Sequence, residues 1–170
     1  MARVVLVTGV SSPLAAGVAQ TLSQGPGVHR VIGADSAPPP NGTMGVEFQH
    51  VDLHDGSLDR IVAESGAELV LHLGLDTAND PNREDNLLGT MRVLGAAQRS
   101  STVRRLVVRS SATLDADDAA EVERHTRGLQ RRRPDLSVAV LRFANLIGPS
   151  VDTPLTRYMD SRVVPTVMGR

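Results

Sequence analysis

Cysteine is absent from the 170 residues, which rules out disulfides, thiol catalysis and thiolate metal sites. Aromatic side chains are nearly absent: Phe48, Phe143 and Tyr158 are all there are. A core so poor in rings must be built from Val, Leu, Ile and Ala, which suits a parallel sheet buried on both faces. The same scarcity argues against a platform for single-stranded nucleic acid, which needs stacking surfaces. Excess charge of one sign is lacking too. The net charge of -1 gives no electrostatic reason to expect nucleic acid or anionic lipid as a partner. No apolar run approaches the length that spans a bilayer. The first apolar run is short and passes straight into Thr8-Gly9 with no cleavage region, so it does not read as a signal peptide. Lysine is missing altogether, and every basic side chain other than histidine is arginine. The expectation is a cytoplasmic protein with one full core.

What is present is a strict alternation of two periods. Short β-branched or aliphatic runs fall at Arg3–Val7, Arg30–Ala34, Val46–Val51, Leu69–Leu73, Arg105–Arg109 and Ser137–Arg142. Helical periods lie between them. Pro13–Gln24 carries Leu14, Val18 and Leu22, with proline at the first position, where its missing N–H costs nothing. Ser57 is placed to cap a helix bearing Leu58, Ile61 and Val62. Pro81–Arg99 shows one stripe of Leu87, Leu88, Met91 and Leu94. Ala116–Arg133 has Asp117 and Asp118 at its start and Arg131 to Arg133 at its end, an order that complements the helix dipole, and Pro134 stops it. The segment 37–45 (APPPNGTMG) is a loop. Strands alternating with helices predict an α/β fold of three layers. Its core is a doubly wound parallel sheet with strand order 3-2-1-4-5-6.

The chemistry concentrates at the ends of the strands. The first strand runs into Thr8-Gly9, then Ser11 and Ser12, then a helix opening at Pro13 and Leu14. Strand, glycine turn and helix start form a geometry that aims backbone N–H groups at a phosphate. The glycine spacing is altered, because Ser12 and Ala15 stand where a dinucleotide turn of the form T-G-x-x-G-x-x-G has its later glycines. A Cβ at Ser12 crowds a pyrophosphate, although its hydroxyl offers a donor. Asp35 closes the second strand, where a carboxylate accepts from an adenosine ribose and repels a 2′-phosphate. That favours NAD over NADP; the plainer reading is an aspartate that opens a loop. Asp52 and Leu53 end the third strand, positioned for an adenine amino group and the adenine ring. The run His50 to Asp55 has metal-ligand residue types, but four groups on one strand end point to different sides, and no metal is expected. His72 reads as a buried, satisfied imidazole.

Taken together, the chain resembles the extended short-chain dehydrogenase/reductase family, in particular nucleotide-sugar epimerases and dehydratases. VTGVSSPLA matches the cofactor turn and HVDLHD the third-strand acid. VLHLGL, with Leu73 and Gly74, is similar to the fourth-strand motif around the cofactor. NLLGTMRVLGAAQ, opened by Asn86, is similar to the long helix, and RLVVRSSATL to the serine-bearing fifth strand. VLRFANLIGPS matches the motif after strand six. The resemblance implies NAD as cofactor, a nucleotide-sugar or other small-molecule substrate, and residues 1–150 as the NAD-binding domain. Residues 151–170 then look like the opening of a substrate lobe whose remainder is missing. It also implies a homodimer through the helices at 81–99 and 116–133.

In the family, the resemblance implies, a tyrosinate takes a sugar hydroxyl proton, a lysine four residues later lowers the tyrosine pKa, and a Ser or Thr orients the oxygen. A phenol titrates near pH ~10, so that cation is needed at neutral pH. Ser111 stands at the serine position. The Tyr-x-x-x-Lys pair is absent, and its positions fall near Asp115 and Ala119. The single tyrosine, Tyr158, lies beyond the sixth strand. Arginine has no phenol to act on here, and Asp115 or Asp117 at a carboxylate's ordinary pKa is a poor base for a sugar hydroxyl. Three readings follow: an NAD-binding domain impaired in catalysis, an active oxidoreductase or epimerase with a rebuilt site, and a structural or regulatory module that has lost NAD.

Overall fold

The computed structural model describes residues 3–40, 42, 45–52, 55–74, 83–111, 116–144 and 154–161, with only the backbone at 83–86, 111, 116–119 and 154–155. Six strands, β1 (Arg3–Thr8), β2 (Val28–Asp35), β3 (Glu47–His50), β4 (Leu69–His72), β5 (Arg105–Ser111) and β6 (Ser137–Phe143), form one sheet. All pairings are parallel and the order is β3-β2-β1-β4-β5-β6, as the alternation of periods predicts. The helices are α1 (Pro13–Ser23), α2 (Ser57–Ser65), α3 (Arg83–Arg99), α4 (Ala116–Arg132) and α5 (Pro154–Met159). No helix among the described residues is long and apolar enough to cross a membrane.

Side-chain alternation divides the core between the two faces of the sheet. Leu6, Ile32, Val70, Leu106 and Val108 point to one face and pack with Leu58 and Val62 of α2, Val93 and Leu94 of α3, and Val122 and Leu129 of α4. Val5, Val7, Val31 and Leu71 point to the other, where Ala15 and Ala19 of α1 meet them. Leu6, Ile32 and Leu106 are fully buried, and each such side chain contributes roughly 2 kcal/mol. On the α1 face the outer strand is thinly covered, and Leu141 of β6 remains 47 % exposed.

Three local expectations are corrected. Only part of the leucine stripe of α3 is buried: Leu94 lies in the core and Leu87 packs against it, whereas Leu88 and Met91 are 37 % and 36 % exposed, and Thr90, Val93, Ala96 and Ala97 complete the inward face. Small residues let this helix lie close to the sheet, which a search for large apolar side chains overlooks. The cap of α2 is Gly56, at φ 75°, rather than Ser57. Asp55 carries out the capping by accepting the Ser57 N–H at 2.8 Å, and the Ser57 hydroxyl turns back to the Asp52 backbone.

The arginine run at the end of α4 is the third. Arg133 lies just past the helix, and its Nη1 donates to the carbonyls of Ala97, Gln98 and Ser100 at the end of α3. Its other nitrogens grip the Asp135 carboxylate. The cation therefore closes a neighbouring helix end rather than its own.

Candidate functional site

The site forms where β1 and β4 part company, at the C-terminal edge of the sheet. Gly9 follows β1 with φ +87°, and its N–H donates to Ala34 O of β2 at 3.1 Å. A Cβ at Gly9 would lie 2.2 Å from Gly74 Cα, so the turn and the end of β4 touch backbone to backbone. Only glycine satisfies both the dihedral and the contact. Leu73 is buried beside it and donates its N–H to Thr8 O.

The turn then spends most of its own donors. Ser11 N–H goes to Asp35 Oδ2 at 2.8 Å, and Ser12 N–H to Gly9 O at 3.0 Å. The Ser12 hydroxyl is not offered outward: it donates to Gly9 O and accepts Ala15 N–H at 3.3 Å as the N-cap of α1. Pro13, at the first helical position, has no N–H to give. Among the described residues, Leu14 N–H of the first turn makes no hydrogen bond within the turn or the helix.

Asp35 receives two backbone donors, Ser11 N–H on Oδ2 and Ser36 N–H on Oδ1, and keeps lone pairs for further hydrogen bonds. Its position at the end of β2, against the turn, lets it organise the loop through these two bonds. Asp52 is exposed just beyond β3, with its N–H on the Ser57 hydroxyl. Leu53 lies outside the described residues. Asn86 is on the first turn of α3, and Ser111 ends β5 in register with Phe143, each described by its backbone alone. Tyr158 sits on α5 and is 43 % exposed. Among the described residues no group of three or more His, Asp or Glu is arranged to hold a metal ion.

Two buried groups complete the neighbourhood. His72 is fully enclosed, with Nδ1 2.7 Å from Thr8 Oγ1 and Nε2 3.0 Å from Thr90 Oγ1 of α3. Burial, helped by the charge of Arg109, pushes its pKa down to about 4, so the ring is neutral at physiological pH. Arg109 itself escaped the sequence reading. It is 8 % exposed, donates Nη1 to Leu73 O at 3.3 Å, and lies 5.8 Å from the centre of the Phe143 ring. The signal was available: an arginine placed between Val108 and Ser110 is a charge in a buried strand.

A sequence model of the NAD dependent epimerase/dehydratase family matches residues 5–127. The chain belongs to the NAD dependent epimerase/dehydratase family. Uncharacterised proteins of Mycobacterium tuberculosis and Mycobacterium bovis are each 31 % identical over 202 positions, covering 99 % of this chain and 54 % of the relative. This member of the family thus spans about half the length of the curated relatives it matches. Among solved structures, epimerase Mth375 from Methanothermobacter thermautotrophicus superposes with a TM-score of 0.74 at 21 % identity, over 92 % of this chain and 57 % of that one. UDP-glucose 4-epimerase from Brucella ovis, solved in complex with NAD, gives 0.71 at 18 % identity over 85 % and 52 %. The Bordetella bronchiseptica enzyme WbmH, in complex with NAD+, gives 0.70 at 18 % identity over 94 % and 62 %. At these identities the epimerase/dehydratase likeness to solved structures is one of fold.

Proposed function

We propose that this chain binds NAD at the β1–β2 edge and is impaired in the catalysis its family performs. One arrangement carries the reading: a glycine turn closed on Gly74, with Ser11 N–H fixed to the Asp35 carboxylate and Leu14 N–H at the helix start. These residues fit the adenosine half of a dinucleotide. Asp35 would accept from ribose hydroxyls, Leu14 N–H would meet a phosphate oxygen, and Gly9, Ser11, Ser12 and Pro13 would form the floor beneath it. Asp52 and Leu53 would border the adenine, and Leu73, Gly74 and Asn86 the opposite wall. NAD, when bound, supplies a hydride acceptor. The grip on the pyrophosphate is weakened but not abolished, because Pro13 removes one N–H and Ser12 commits its hydroxyl.

The impairment follows from residue types. With no lysine in the chain and the one tyrosine on α5, no phenol–ammonium pair exists to abstract a hydroxyl proton. Ser111 is then a remnant that orients an oxygen without a base to act on it. Residues 1–150 would form the cofactor domain and residues 151–170 the start of a substrate lobe. The nucleotide bound to a neighbour supports a sugar nucleotide as the substrate class: Bordetella bronchiseptica WbmF was solved with NAD+ and UDP. The protein would work in the cytoplasm. The exposed Leu88 and Met91 of α3 support pairing of two copies through α3 and α4.

Calorimetry with NAD tests the binding reading. A saturable heat together with an NAD-dependent rise in melting temperature supports it. No heat and no rise leave a module that has lost the cofactor. Incubating the NAD-loaded protein with nucleotide sugars and following reduced nicotinamide tests the impairment. Turnover that survives Ser111→Ala and disappears on substitution of Asp115 or Asp117 would establish a rebuilt active site instead.

A further inference from the structure

We propose that His72 is a positioning residue for dinucleotide binding, its imidazole spanning from the last residue of β1 to α3 and so fixing the two walls of the crevice in register. The inference rests on the NAD reading above. Thr8 immediately precedes the glycine turn, and three contacts hold it and Gly9 to the end of β4. The Thr8 hydroxyl is 2.7 Å from His72 Nδ1, Leu73 N–H donates to Thr8 O at 3.1 Å, and Gly9 packs on Gly74. The last two contacts are backbone and survive any side chain at position 72. The first continues onward to α3, because His72 Nε2 is 3.0 Å from Thr90 Oγ1.

Thr90 is fully buried on α3, one helical turn after Asn86. The imidazole is thus a strut between the turn that faces the pyrophosphate and the helix whose first turn borders the other side. Its length is set by a rigid ring with one nitrogen donating and the other accepting. Such a strut suits a neutral ring, and burial beside Arg109 keeps it neutral. A crevice whose two walls are already spaced loses less freedom on binding, so affinity should depend on a residue that never touches the ligand.

Three variants separate the strut from simple core filling. Asn at 72 places a polar group near the Nδ1 position and retains the bond to Thr8. Gln places one near Nε2 and retains the bond to Thr90. Leu retains neither. With NAD titrated calorimetrically well below each variant's melting temperature, His72→Leu should weaken binding about ten-fold, the value of one lost hydrogen bond. His72→Asn or His72→Gln should recover part of it. Wild-type affinity in His72→Leu, or no recovery by either polar variant at equal folded fraction, overturns the proposal.

If His72→Leu does not fold, Thr8→Val and Thr90→Val break the strut at one end or the other and are judged by the same criterion. If the wild type gives no heat with NAD, the cofactor reading fails. The strut is then decided in the free protein by amide exchange at Gly9, whose N–H donates to Ala34 O of β2, and at Ser12, whose N–H donates to Gly9 O within the turn. Faster exchange in His72→Leu supports it, and unchanged exchange overturns it.

Discussion

Ser11 N–H and Asp35 Oδ2 lie 2.8 Å apart, joining the turn after β1 to the end of β2. The carboxylate orders the turn, and under the proposed NAD reading it would also present a negative charge to an adenosine ribose. Asp35→Asn keeps the acceptor but removes the charge that repels a 2′-phosphate. The variant should bind NAD a few-fold more weakly and narrow the preference over NADP by about ten-fold, the scale of one charge-assisted hydrogen bond. Parallel titrations with the two dinucleotides measure both.

Gly9 offers the sharpest stability test. Alanine there would have to adopt φ +87° while its Cβ occupied space 2.2 Å from Gly74 Cα. Gly9→Ala should cost more than about 2 kcal/mol, read as a lowered urea midpoint, since strain and clash add. Gly17→Ala, in the middle of α1 with nothing within 4 Å of the added Cβ, is the control and should be neutral or slightly stabilising.

Arg133 is the clearest case of a function invisible in sequence. The arginine run reads as the end of its own helix, and Arg131 and Arg132 do stand in the last turn of α4. Arg133 instead caps carbonyls 33 to 36 residues away, a relation that only the fold creates. Arg133→Met retains the stem and removes the donors, leaving three carbonyls of α3 without them. A loss of about 1–3 kcal/mol in chemical unfolding is expected. Arg133→Lys should recover only part, because an ammonium cannot hold Asp135 and the carbonyls together.

The elements were legible because strand and helix periods alternate without interruption, and each strand is a short Val- or Leu-rich run between polar punctuation. Strand edges moved by a residue or two: β3 is Glu47–His50 where Val46–Val51 was expected. What sequence did not reveal were contacts whose partners are distant. Beside Leu94, the inward face of α3 is made of Thr90, Val93, Ala96 and Ala97, and small residues carry little hydrophobic signal of their own. At the candidate site, the glycine turn at Gly9 and the acid closing β2 at Asp35 could be placed from the strand ends. The diversion of the Ser12 hydroxyl to Gly9 O could not, because its direction depends on the turn's backbone.

His72 gives the fold a dependence on pH whose sign is fixed by the direction of its shift. Burial lowers its pKa from 6.5 to about 4, so between those values the unfolded chain binds the proton and the folded chain resists it. Stability is therefore fully present above pH 6.5 and falls as the pH drops toward 4, by roughly 3 kcal/mol over the window. Asp135, held at about 2 by Arg133, keeps its charge in the folded protein throughout that window and adds slope only at its lower end, where the unfolded carboxylate begins to take up a proton. Urea unfolding from pH 7 to pH 4 should show the decline in the wild type. In His72→Asn the slope between pH 6.5 and 5 should flatten, because no imidazole is left to protonate on unfolding at that position. An unchanged slope in that variant would assign the decline to other groups.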